Sequence, residues 1–155
     1  MAESKFGDIE TWQTMLDRHA ELFTEMTPGS AVGVVPRAGS GIQPGKHVAG
    51  LSAAGGGSDM LVWQIRDGHE AGMLASNRGY TGFQQANVDL LFVADDAALT
   101  ALREALQGDT LSIMKRLIRK GNIMFYVMKT KYQLQDAGYE EFLDSLGLAF
   151  LGACR

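Results

Sequence analysis

Between Val88 and Met128 the chain reads VDLLFVADDAALTALREALQGDTLSIMKRLIRKGNIMFYVM, and this order of segments constrains the fold more than any other part of the sequence. The apolar run Val88 to Val93 predicts a strand. Asp89 inside it belongs at the start of that strand or at an exposed edge. Asp95 then stands where a helix N-cap is wanted, and Ala98, Leu99, Leu102, Ala105 and Leu106 form an apolar stripe at helical spacing that ends at Gly108. Asp109 or Thr110 can cap a further short helix through Met114. The segment Arg116-Leu117-Ile118-Arg119 fits two structures. It reads as a short strand, or it prolongs the helix with Leu111, Met114 and Ile118 on one face. Gly121-Asn122 marks a turn or a helix start. The run Ile123 to Met128 is apolar all round, which predicts burial in either conformation. Together these segments are laid out like a shell around an apolar cavity, with no catalytic group among them.

Upstream, Ile9, Trp12, Leu16, Ala20, Phe23 and Met26 recur at three- and four-residue steps, which predicts a helix from Asp8 to Met26 with Asp8 as N-cap and Thr27-Pro28-Gly29 as its stop. Ala31 to Val35 is a short strand candidate. The following stretch, about residues 36–58, has little periodicity. Residues 29–58 hold nine of the nineteen glycines and two of the three prolines. Such composition predicts a long flexible loop, of the kind that serves as a lid. Its glycines match neither a Walker loop nor a dinucleotide fingerprint, and no strand-then-helix frame surrounds them. The next part reads as antiparallel sheet. Met60 to Arg66 alternates Leu61, Trp63 and Ile65 against Val62, Asp67-Gly68 is a hairpin signal, Ala71 to Ser76 returns, Asn77-Arg78-Gly79 turns, and Tyr80 to Gln85 forms a weaker strand. Gly138 opens a last helical pattern carrying Tyr139, Phe142, Leu143, Leu146, Phe150 and Leu151.

With 155 residues the chain reads as one domain, 1–155, large enough for a real core. The net charge of −4 argues against nucleic acid as main partner. The charge is unevenly spread: residues 110–135 carry six cations (Lys115, Arg116, Arg119, Lys120, Lys129, Lys131) and no acid, so the rest of the chain is near −10. This asymmetry marks either a face that meets an anion or a basic solvated helix face. The one cysteine, Cys154, permits no disulfide within the chain. The polar start MAESKFGDIE has no leader pattern and no run approaches a membrane span, so a cytoplasmic location is expected.

No catalytic constellation is found. His19, His47 and His69 are far apart and in no metal-ligand spacing, and no serine sits in a GxSxG elbow. The acid pairs Asp95-Asp96 and Glu140-Glu141 read as caps and dipole partners. No cofactor and no metal is nominated.

Three groups of residues resemble the sterol carrier protein 2 (SCP-2) family. The first is Val88-Asp89-Leu90-Leu91-Phe92 followed by Asp95-Asp96. The second is Leu99-Thr100-Ala101-Leu102 with Gly108. The third, Arg116-Leu117-Ile118-Arg119-Lys120-Gly121-Asn122, is similar to that family's "GklkvkGd" strand and turn, with Lys115 in place of its first glycine. The similarity covers about residues 60–128. The glycine-rich stretch 36–58 is longer than the usual family loop, and residues 132–155 add a helix pattern.

The resemblance implies an α+β fold, a mostly antiparallel five-stranded sheet with helices packed on one face, enclosing an apolar cavity for acyl chains, sterols or isoprenoids. On that reading Leu111, Met114, Ile118, Ile123, Phe125, Val127, Leu146 and Phe150 line the cavity, and Lys115, Arg116, Arg119 and Lys120 face lipid headgroups or an anionic membrane surface. The eight methionines suit adaptable cavity walls, although by themselves they favour an ordinary core with methionines filling its gaps. The expected function is non-enzymatic binding or transfer of a lipid or other apolar small molecule. Two alternatives stand beside it. One is a solid protein–protein interaction module docking through the C-terminal helix or the glycine-rich loop. The other is a small enzyme with that loop as a lid over His47, Arg37 or Lys46.

Overall fold

The computed structural model describes residues 6, 8–23, 26–37, 58–65, 73–80 and 87–147. Five strands form one sheet: β1 (Ala31–Pro36), β2 (Ser58–Ile65), β3 (Met73–Tyr80), β4 (Leu90–Ala94) and β5 (Ile123–Val127), in the order β3-β2-β1-β4-β5. Three neighbouring pairs are antiparallel, and β1 with β4 is parallel, Val34 opposite Phe92. The sheet is therefore mixed, though mostly antiparallel. Among the described residues the helices are α1 (Ile9–Arg18), α2 (Asp96–Ala105), α3 (Thr110–Lys120), α4 (Lys131–Asp136) and α5 (Glu140–Ser145), with a 3-10 turn at Ala20–Phe23. The chain is thus α+β.

Strand pleating sorts the side chains. Val32, Val34, Leu61, Trp63, Leu90, Phe92 and Ile123 point to one face, and the buried residues of every helix join them in the main core. At its centre Trp63 lies 5.9 Å from Trp12 and 6.2 Å, edge-on, from Phe142. The opposite face carries a smaller apolar cluster, with Ala31, Val35, Met60, Val62, Leu91 and Val93 buried and no helix residue among its members. Burial on both faces explains why β1 and β4 are apolar without alternation.

Local chemistry fixes the helix ends. Asp8 caps α1 and Asp95 caps α2, each accepting a backbone N–H of the first turn. Asp95 does more. Its Oδ1 takes Ala98 N at 2.8 Å, and its Oδ2 takes Asn122 Nδ2 at 2.8 Å, tying the end of β4 to the turn before β5. Gln13 of α1 serves the sheet edge. Its amide donates to Met73 O and accepts from Ala75 N, both at 2.8 Å, so it pairs β3 as a neighbouring strand would.

Several expectations are corrected. The helix expected from Asp8 to Met26 breaks at His19, whose backbone leaves the helical region. The turn expected at Asn77-Arg78-Gly79 lies inside β3. Pairing with β2 runs unbroken from Met73 to Tyr80, and Arg78 donates to Gln64 at 2.8 Å on the neighbouring strand. Arg116 to Arg119 is not a strand. It is the third turn of α3, which continues past Met114 to Lys120. The strand that the SCP-2 resemblance puts there follows the glycine instead, as β5. That strand is not buried all round, because it is the sheet edge: Val127 is 49% exposed. The Asp67-Gly68 turn, most of the 36–58 loop and Phe150 lie outside the described residues.

Candidate functional site: helix α3 and the clefts around it

α3 is the element that gathers most of the expected site residues. Asp109 starts it, accepting Ser112 N at 3.3 Å and Ser112 Oγ at 2.8 Å, and these bonds hold its carboxyl below the usual carboxylate range. The buried Thr110 hydroxyl donates to Ala105 O at 2.7 Å and locks the corner between α2 and α3. Gly121 ends α3 in the left-handed region, φ 89°, with its N–H on Ile118 O and that of Asn122 on Leu117 O at 3.0 Å.

The inner face of α3 supplies Leu111, Met114 and Leu117 to the main core. Ile123 from β5 and Leu146 after α5 join them there, while Ile118 and Phe125 pack against the rim. Phe125 also stacks 5.2 Å from Phe92. Six of the eight residues expected to line a cavity thus come together between sheet and helices. Val127 does not, being half-exposed at the sheet edge, and Phe150 lies outside the described residues.

Lys115, Arg116, Arg119 and Lys120 lie on the outer face, spread over roughly 140° of the helix circumference. Among the described residues none of the four has a hydrogen-bond or ion-pair partner, and α3 itself carries no acid. They split into two pairs. Lys115 lays its Cε against Gly147 beyond α5, 2.9 Å from where a Cβ would stand. Arg116 and Lys120 instead line an open cleft of about 390 Å³ between α2 and α3, with Ala101, Ala105, Ile113 and Leu117 as its apolar part and Glu104 on the facing helix.

A second cleft, about 280 Å³, opens at the other end of the sheet between Thr27, Ser30, Asp89, Lys129 and Gln133. Behind it Tyr139, fully buried, donates to Asp89 Oδ2 at 2.7 Å, with Ala31 O at 3.2 Å. Burial and the Asp89 carboxylate push the phenol far above its ordinary value. Sequence reasoning placed Asp89 at a strand start or an exposed edge, and it lies just before β4, but Tyr139 was missed as its partner. The signal was the acid itself, in a run that is otherwise apolar.

Among the described residues no group of three or more His, Cys, Asp or Glu side chains could hold a metal ion. His19 Nε2 and Trp63 Nε1 are buried and find no hydrogen-bond partner among the described residues. Arg37, one of three residues considered for an enzyme site, has its guanidinium 4.0 Å from Asp95. The other two, Lys46 and His47, lie outside the described residues, as does His69. Among the described residues no helix is long and apolar enough to cross a membrane. α5 turns Phe142 and Leu143 inward, with Leu146 just beyond it buried as well, which leaves Glu140, Glu141 and Asp144 for any partner.

No protein-family model matches this chain, and no curated protein does. A solution structure of a conserved hypothetical protein from Thermus thermophilus, offered as a candidate sterol carrier protein, is similar over 97% of this chain and 93% of that chain, at 16% identity and a TM-score of 0.43. Likeness at that level is too weak to carry function from one chain to the other.

Proposed function

We propose that the protein is a non-enzymatic carrier of the SCP-2 type. It binds an apolar ligand of fatty acyl, sterol or isoprenoid kind between its sheet and its helices, and exchanges it at an anionic membrane surface. The observation that carries this reading is the two-sidedness of α3. One helix presents Leu111, Met114 and Leu117 inward and four cations outward that are unpaired among the described residues. An apolar chain moving from water to the core gains roughly 0.8 kcal/mol per methylene. Each cation contributes about 1 kcal/mol near an anionic surface. Four such terms sum to about 4 kcal/mol, which corresponds to millimolar association. Contact of that strength is transient, as a carrier requires.

The test is solvent extraction of the purified protein followed by mass spectrometry, with native mass spectrometry of the intact protein beside it. A stoichiometric lipid is expected. An empty extract, together with no uptake of a fluorescent acyl probe, would refute the carrier reading.

A further inference from the structure

We infer that the cleft between α2 and α3 is a seat for the phosphodiester headgroup of a membrane phospholipid, held by Arg116 and Lys120. This rests on the membrane half of the proposed function and names the chemistry that α3 recognises.

The cleft differs from a uniformly charged face in three ways. It is concave, with about 390 Å³ of space. Its α2 wall sets the small residues Ala101 and Ala105 beside Glu104, so a headgroup can approach the helix backbone closely at the alanines. Its α3 wall sets apolar Ile113 and Leu117 beside the cations, which suits the junction where a lipid headgroup meets its acyl chains.

The charges select a class of ligand. Arg116 and Lys120 are one helical turn apart, so their side chains are neighbours. A guanidinium takes two oxygens of one phosphate in a forked geometry, and an ammonium adds a third contact. Among the described residues neither cation is hydrogen-bonded or ion-paired. Glu104 faces them and brings the net charge of the cleft to one positive unit. That balance fits a singly charged phosphodiester better than a doubly charged phosphate monoester. Glu104 also accepts a hydrogen bond from a hydroxyl or ammonium on the headgroup. Lys115 and Arg119 lie outside this arrangement. They contribute to the field of the helix and not to the seat.

The experiment measures binding to vesicles of phosphatidylcholine doped with phosphatidylglycerol. Arg116→Gln/Lys120→Gln and Lys115→Gln/Arg119→Gln remove the same charge from the same helix. The first pair should lose about tenfold more affinity than the second, because only it loses charge-assisted bonds to the phosphate. Ala101→Leu fills the cleft without changing charge and should weaken binding about fivefold, with Ala105→Met as the substitute if that variant unfolds. Equal losses from the two double variants, with no effect of filling, would overturn the seat and leave the membrane reading standing. Failure of the unaltered protein to bind the vesicles would remove both. Displacement by inorganic phosphate at concentrations matching the lipid would overturn the assignment to a lipid.

Discussion

Tyr139 joins three distant parts of the chain through one hydroxyl. Its ring is buried in the main core, and its O–H reaches Asp89 just before β4 and the carbonyl of Ala31 in β1. A hydrogen bond to a charged acceptor contributes on the order of 2 kcal/mol. Tyr139→Phe should lower stability by about that amount, read from the urea midpoint at neutral pH. The alkaline limb supplies a second readout. The folded phenol is raised above its unfolded value, so its contribution is fully present below about pH 10. It is lost as the pH rises from there toward the folded value, because the unfolded chain then releases the proton first. In Tyr139→Phe part of that alkaline decline should disappear. If the limb is unchanged, ionisation of Tyr139 does not limit stability there. The acid in an apolar run announced that Asp89 needed a partner. Its partner, fifty residues further along the chain, could not be read from spacing.

α3 shows what local pattern leaves open. Arg-Leu-Ile-Arg satisfies the two-residue period of a strand and the three-to-four-residue period of a helix. The helix wins because Leu111, Met114 and Leu117 recur on one face and because Gly121 closes the last turn with a positive φ. Gly121→Ala places a Cβ in a left-handed conformation and should cost roughly 1 kcal/mol. Gly121→Asn, better tolerated there, should cost less. The shift of the thermal midpoint checks the order, and an alanine variant as stable as the parent would mean the cap has moved. β5 makes the complementary point. Its apolar run left strand and helix open and predicted burial all round, but its place at the edge of the sheet, which exposes Val127, is a property of strand order alone.

At the scale of the whole molecule, the proposed function divides into a charged contact outside and an apolar one inside, and salt separates them. At about 1 M salt the screening length falls to about 3 Å, so vesicle association through α3 should vanish. Lipid held between sheet and helices should remain, since apolar burial is not screened. Sedimentation with vesicles measures the first and extraction of the protein at high salt the second. Loss of both together would mean that the ligand is held by charge, against the proposal.

The caps at Asp8 and Asp95, the apolar stripes of the helices and the strands β1, β2 and β4 were determined by the sequence itself, because each follows from side chains within a few residues of one another. The α+β class was what the SCP-2 resemblance implied, and the described elements bear it out. Only the tertiary structure decided that β1 and β4 run parallel, that 73–80 is one strand, and that Arg116 and Lys120 share a cleft with Glu104 while Lys115 does not. Those outcomes depend on which surfaces meet across tens of residues, where the free energy comes from burial and pairing between segments that carry no mark of each other in the local pattern.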